Sequence, residues 1–181
     1  MFRRVQITKD NANDKGLREL YENAFPEGQK APYDNFIELL DIMDMDYTAY
    51  YDGETLIGMT VAIRMKKYNY GADMAVVENL RGKGYGQKIL SDVLGRYSKD
   101  KPFVMEVESP KQADAPNLEI RKRRHAFYLR NGMFDTGKYF TLNGVEYTIM
   151  TTSKEPVTQE DIDAAFEFLK PLEERVPKLN Q

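Results

Sequence analysis

At 181 residues, with 41% apolar and 30% charged side chains, the chain is sized for one folded domain and is too short for two. It has no cysteine and a single histidine, His125, which excludes disulfides, thiolate nucleophiles and Cys- or His-clustered metal sites. A net charge of −3 argues against nucleic acid as a partner, and no apolar run approaches the roughly 20 residues that span a bilayer.

The opening stretch, Met1 to Ile7, holds two arginines and turns polar at once, so a secretory leader is not expected and a cytoplasmic location is. Residues 2–8 alternate loosely enough for a first strand. From Asp14 onward, Leu17, Leu20, Tyr21 and Ala24 recur at helical spacing until Pro26. A second helix is expected over 34–43, with Phe36, Ile37, Leu40 and Met43 on one face. The period then changes, and 47–51 and 56–65 read as strands joined at Asp52-Gly53. A further strand over 70–76 runs into a glycine-rich turn. The helix expected over 87–97 carries the stripe Ile89, Leu90, Val93, Leu94 and Tyr97. Residues 103–107 form a short apolar strand, and a helix over 118–131 is closed by Gly132. Strands 138–142 and 145–150 meet at Asn143-Gly144. Thr158 can cap a last helix bearing Ile162, Ala165, Phe166 and Leu169, ended by Pro171. This order describes an α/β (α+β) domain with a mixed sheet and no linker.

The richest local signal is Arg81-Gly82-Lys83-Gly84-Tyr85-Gly86, between the strand ending near Val76 and the next helix. Glycines admit positive φ and close approach, so several N–H groups can converge on an anion, and the helix adds its unpaired amides and dipole. A tight turn with no ligand is the plain alternative. The spacing fits neither a Walker loop nor the dinucleotide fingerprint, whose last glycine would fall on Gln87.

Arg81, Gly84 and Gly86, following Met74-Ala75-Val76, match an Arg-x-x-Gly-x-Gly signature, and in this the chain resembles the GNAT acetyltransferases. Met105-Glu106-Val107 is similar to that family's central strand, and the segment from Arg124 to Phe134, with Phe127, Tyr128 and Gly132, to its helix end. Glu78 stands where proline is usual, and Arg121 where the family commonly has asparagine; Asn117 lies farther upstream. The resemblance implies a mostly antiparallel central sheet with splayed parallel strands, flanked by helices, over residues 1–153, with 154–181 as a C-terminal helical extension of the same domain.

It also implies acetyl-CoA as cosubstrate and no metal. Arg81, Gly82, Lys83, Gly84, Tyr85 and Gly86 would hold the pyrophosphate, and backbone groups at Val76 and Val77 the pantetheine and thioester carbonyl. With no cysteine, direct attack by an amine is the natural mechanism. Tyr128 becomes the candidate general acid for the thiolate and Glu106 the candidate base, against the plainer readings of a packed aromatic and a solvent-facing strand residue. The acceptor is expected to be a small-molecule or peptide amine. Between Lys30 and Arg64 there is no Lys or Arg, while Asp34, Glu38, Asp41, Asp44, Asp46, Asp52 and Glu54 all fall there, which favours a cationic acceptor or else is a solvated face. The cations Arg121 to Arg124 read as a wet helix face or as a reach toward a coenzyme A phosphate; nucleic acid is a third, weaker option. A coenzyme A-binding sensor without turnover is the alternative function. The helix at 158–170 could dock on its own domain or on a neighbour's, which leaves a homodimer open.

Overall fold

The computed structural model describes residues 1–25, 30–155 and 158, and within these a seven-stranded sheet carries helices on both faces. In chain order the elements are β1 (Phe2–Ile7), α1 (Lys15–Ala24), α2 (Tyr33–Glu38), β2 (Met45–Asp52), β3 (Thr55–Arg64), β4 (Asn69–Val76), α3 (Tyr85–Tyr97), β5 (Phe103–Glu108), α4 (Leu118–Arg130), β6 (Phe134–Leu142) and β7 (Val145–Thr151). The sheet order is β1-β2-β3-β4-β5-β7-β6, antiparallel throughout except for β4 beside β5. The helix expected from Thr158 to Pro171 lies outside the described residues.

Local chemistry explains most of these boundaries. Asp14 caps α1 by accepting the Leu17 N–H at 2.7 Å. Asn143 and Gly144 both take positive φ, 50° and 77°, the backbone that a two-residue hairpin between right-twisted strands requires. Gly132, at φ 88°, ends α4 as expected. Two elements differ from the sequence reading. The second helix stops at Glu38 and tightens into a 3-10 turn at Leu39–Asp41, because the chain must enter β2 by Met45. Strand β6 begins at Phe134 rather than 138, with Gly137 at φ 70° inside a register shift that hides the alternation.

The two faces bury separate clusters. Leu17, Leu20 and Tyr21 of α1 and Phe36 and Ile37 of α2 pack on one face against Tyr47, Met59, Tyr70 and Val104. Leu90, Val93 and Tyr97 of α3 and Tyr128 of α4 pack on the other against Phe103, Met105 and Val107. Helix α3 approaches the sheet so closely that a Cβ on Gly58 of β3 would sit 2.6 Å from Ile89 Cδ1 and 2.5 Å from the Ala75 carbonyl oxygen. Gly58→Ala is therefore expected to cost about 1–3 kcal/mol. A thermal melt should show a midpoint roughly 2–10 °C lower, and an unchanged midpoint would mean the helix yields freely.

Candidate active site

Strands β4 and β5 pair only at Asn69–Phe103 and Tyr70–Val104. Farther along, β5 continues to pair with β7 as far as Glu108, and β4 with β3 as far as Val76. The two parallel strands thus separate in the middle of the sheet and open a V-shaped cleft. Which backbone groups face it follows from the β3 side. The Val77 N–H donates to the Ile57 carbonyl at 3.0 Å, and successive residues of an antiparallel strand face opposite neighbours. Asp73 and Ala75 accordingly turn their amides to β3, and Met74 and Val76 turn theirs toward the side that β5 has left. The Val77 carbonyl accepts from Leu80 at 2.9 Å, so both polar groups of Val77 are engaged inside the protein. This corrects the sequence reading: Val76 faces the cleft, Val77 does not, and Met74 takes its place.

At the far end of β4 lies the glycine turn. Gly82 and Gly84 have φ of 76° and 83°, and a Cβ on either would meet nothing within 4 Å, so backbone conformation rather than space requires glycine there. Gly86 differs: a Cβ on it would lie 3.7 Å from the Phe127 ring and from Val76 Cγ2, where α3, α4 and β4 converge. The first backbone bond into α3 runs from the Lys88 N–H to the Gly84 carbonyl at 3.3 Å. The amides of residues 82–87 donate to no backbone carbonyl among the described residues. Together with the dipole of α3 and the exposed side chains of Arg81 and Lys83, these amides are disposed to receive an anion. The Arg81 Nε meanwhile donates to the Val76 carbonyl at 3.2 Å, folding the turn back on β4. Tyr85 has a role its sequence did not announce. Its hydroxyl donates to Asp52 at 2.9 Å and so ties the start of α3 to the β2–β3 turn; that bond raises the phenol pKa.

Tyr128 is 6% exposed and clusters with Met105 of β5 and, at the edge, Met74 of β4, the two strands that diverge. Its ring meets Phe127 edge-on at 5.3 Å, and its hydroxyl has no hydrogen-bond partner among the described residues. Burial raises its pKa while the Arg124 guanidinium pulls it back, so the phenol holds its proton at neutral pH.

Glu106 projects from β5 to the opposite face, toward α1 and α2. It is partly buried on a central strand, not on an edge, and the Tyr70 hydroxyl is hydrogen-bonded to it. Burial first and Glu106 second push the Tyr70 hydroxyl well above its usual range. Asp73 joins them through a bulge. Val61 pairs with Asp73 and Ala62 with Gly71, leaving Ala72 as an extra residue in β4. Tyr70 and Asp73, three positions apart, thereby come to one face. Burial, then the neighbouring Glu106, push the Asp73 carboxyl up to about 7.

Around the site, the acidic stretch of residues 34–54 is partly neutralised locally. Asp34 pairs with Arg18, Glu38 and Asp41 with Lys9, Asp44 and Asp46 with Arg64, Asp52 with the chain's amino group, and Glu54 with Arg3. Five cations thus face seven acids, which reduces the negative charge of this stretch without cancelling it. The four-cation run on α4 is not one wet face either. Arg121 is 3% exposed and donates from Nε to Asn117 at 2.7 Å, and from its two terminal nitrogens to Gln112 at 2.8 Å and Glu108 at 3.2 Å. Arg124 holds the other oxygen of Glu108 at 2.8 Å, and Lys122 pairs with Glu119. His125 is fixed to Asp135 at 2.8 Å. Sequence reasoning missed Asp73, Tyr70 and Met74. An acid inside the apolar run 70–76 was the visible signal for the first.

A model of the acetyltransferase (GNAT) family matches residues 15–133. No curated protein matches the sequence significantly. Among solved structures, a GNAT-family protein of Bacteroides thetaiotaomicron superposes with a TM-score of 0.73 at 22% identity, covering 92% of this chain and 95% of that one. A GNAT family acetyltransferase of Elizabethkingia anophelis, solved with acetyl-CoA bound, gives 0.59 at 15% identity over 84% and 97%. The ribosomal-protein-S18-alanine N-acetyltransferase of Escherichia coli gives 0.61 at 13% over 88% and 97%. These likenesses establish the fold.

The Arg121 network buttresses the end of β5 that borders the cleft. Removing its centre in Arg121→Ala leaves Glu108, Gln112 and Asn117 short of a buried donor, a loss of about 3–5 kcal/mol. The melting midpoint should drop by roughly 6–20 °C, and Arg121→Lys should recover little because an ammonium cannot reproduce the planar fork.

Proposed function

The chain belongs to the acetyltransferase (GNAT) family, and on that premise we propose that it transfers an acetyl group from acetyl-CoA to a primary amine by direct attack. The observation that carries this reading is the cleft itself. Two parallel strands part, with a carboxylate on one face of the sheet, a buried phenol on the other and an anion cradle at the end.

The residues present fit coenzyme A. The open amides of 82–87, with Lys83 and Arg81 beside them, suit its pyrophosphate, and the cleft-facing backbone of Met74 and Val76 suits the amide-bearing pantetheine arm. When bound, acetyl-CoA supplies an activated thioester carbonyl. The Met74 and Val76 amides polarise the carbonyl oxygen and stabilise the charge that develops on it. Glu106 takes a proton from the incoming ammonium, and Tyr128 gives one to the departing sulfur. The sequence has no cysteine to carry an acyl group, so amine and carbonyl meet directly. The acceptor reaches Glu106 from the α1–α2 face. A positively charged amine suits it there, because no cation is among the groups that act on Asp73. Which small-molecule or peptide amine it is does not follow from a fold that hosts many.

A thermal melt with acetyl-CoA, coenzyme A, ATP and NAD tests the first half. Ligand at about 100 times Kd adds roughly 2.7 kcal/mol, a rise of about 5–10 °C, expected for acetyl-CoA and coenzyme A only. Thiol release with a panel of primary amines tests the second half. Tyr128→Phe should lower kcat by about 10²-fold or more while keeping the acetyl-CoA melting shift. A shift without turnover of any amine would identify a coenzyme A-binding sensor instead, and no shift would sink both readings.

A further inference from the structure

We propose that Asp73 completes the base on the acceptor side: its carboxyl and that of Glu106 share one site for a proton, and the proton of the attacking amine fills it. The first half stands on the structure alone, and the second rests on the acyl-transfer reading above.

The bulge at Ala72 is what makes the pair. With regular alternation Asp73 would face away from Tyr70; the extra residue turns it to the face where Tyr70 and Glu106 already meet. Protein atoms crowd the Asp73 carboxyl, although part of the residue stays accessible at the cleft. The groups that face the pair are Tyr21 from α1, Tyr47 from β2, Tyr70 from β4 itself and Tyr147 from β7, and burial holds each of these phenols in its neutral form. Arg121 and Arg124 reach Tyr147 from the Glu108 end, but neither acts on Asp73. Two carboxylates in such surroundings ionise together only once the pH passes about 7; below that they hold one proton between them.

The hydrogen bonds decide which one keeps the charge. Glu106 has the Tyr70 hydroxyl, which stabilises its anion, and Asp73 has no hydrogen bond among the described residues. The single proton therefore rests on Asp73. The reaction starts from the doubly ionised pair, in which Asp73 has no proton. An N–H bond of the ammonium breaks and an O–H bond forms at Glu106, and the proton passes on to the Asp73 carboxylate, which returns Glu106 to its anion. No electrons change hands. The doubly ionised pair gains its first proton near 7, which matches a base to neutral working conditions; Glu106 alone would lack the neighbouring charge that makes it basic.

The direct test follows the carboxyl carbons of the full chain, labelled with carbon-13 at Asp and Glu, by NMR from about pH 4 to about pH 9. The wild type should show a carboxyl that titrates near 7. In Asp73→Asn that transition should vanish and Glu106 should titrate in the ordinary carboxylate range. In Glu106→Gln the Asp73 midpoint should fall by about one unit or more. An Asp73 midpoint that stays where it is in Glu106→Gln overturns the pair. With acetyl-CoA and the fastest amine of the panel, Asp73→Asn should move the acid limb of kcat/KM down by about one pH unit or more and lower the plateau. A side chain that only supports the fold would scale the rate and leave the limb in place, and that result overturns the catalytic half. Coupled titration without turnover of any amine would instead count against the acyl-transfer reading.

Discussion

Everything distinctive about this molecule depends on one missing set of hydrogen bonds. A strand in the middle of a sheet normally satisfies both of its neighbours, and buried backbone groups left without partners are costly. Here β4 abandons β5 after Tyr70–Val104, although both strands continue, so the Met74 and Val76 amides point into a gap. The gap gives groups on opposite faces of the sheet a route to act on one bond. It sets Glu106 and Asp73 on the α1–α2 side and Tyr128 on the α3–α4 side of the same opening.

Holding such a gap open requires support on both banks. On the β4 bank, α3 passes Val76 and Phe127 at Gly86, at a distance where a Cβ would make ordinary contact, and Arg81 bonds back to the Val76 carbonyl. On the β5 bank, Glu108 is clamped by Arg121 and Arg124, and Gln112 links that network to the Glu146 N–H at 2.9 Å and the Gly144 carbonyl at 3.1 Å. An arginine at position 121 makes structural sense in this light: it exchanges a side chain free to meet a ligand for one that fastens β5 to α4 and the β6–β7 hairpin.

The sequence disclosed the order of elements, the hairpins at Asp52-Gly53 and Asn143-Gly144, and the glycine turn, because each rests on local backbone chemistry that a few residues fully determine. It also singled out Tyr128 and Glu106, which the fold brings to the two faces of one cleft. What stayed hidden was everything that depends on counting residues between strands. Ala72 looks like any strand alanine, yet the bulge it creates decides which face Asp73 occupies. Whether Val76 or Val77 opens toward the cleft turns on the bond from Val77 to Ile57, a contact across 20 positions of sequence that no local pattern carries. The acidic stretch was legible only in part for a related reason: the cations that pair with it, among them Lys9, Arg18 and Arg64, are not inside the window that holds the acids.

The bond from Tyr85 to Asp52 bears on the cradle in another way. A glycine-rich loop is entropically expensive to order, and a loop that settled only around its ligand would draw that expense from the affinity. Here the first residue of α3 is moored to the β2–β3 turn, and Asp52 is itself anchored to the chain's amino group at 2.8 Å. The helix start is ordered as part of folding, so the amides stand ready before any anion arrives. On the coenzyme A reading proposed above, an anion arriving at this end of the cleft would meet a helix start that folding has already fixed.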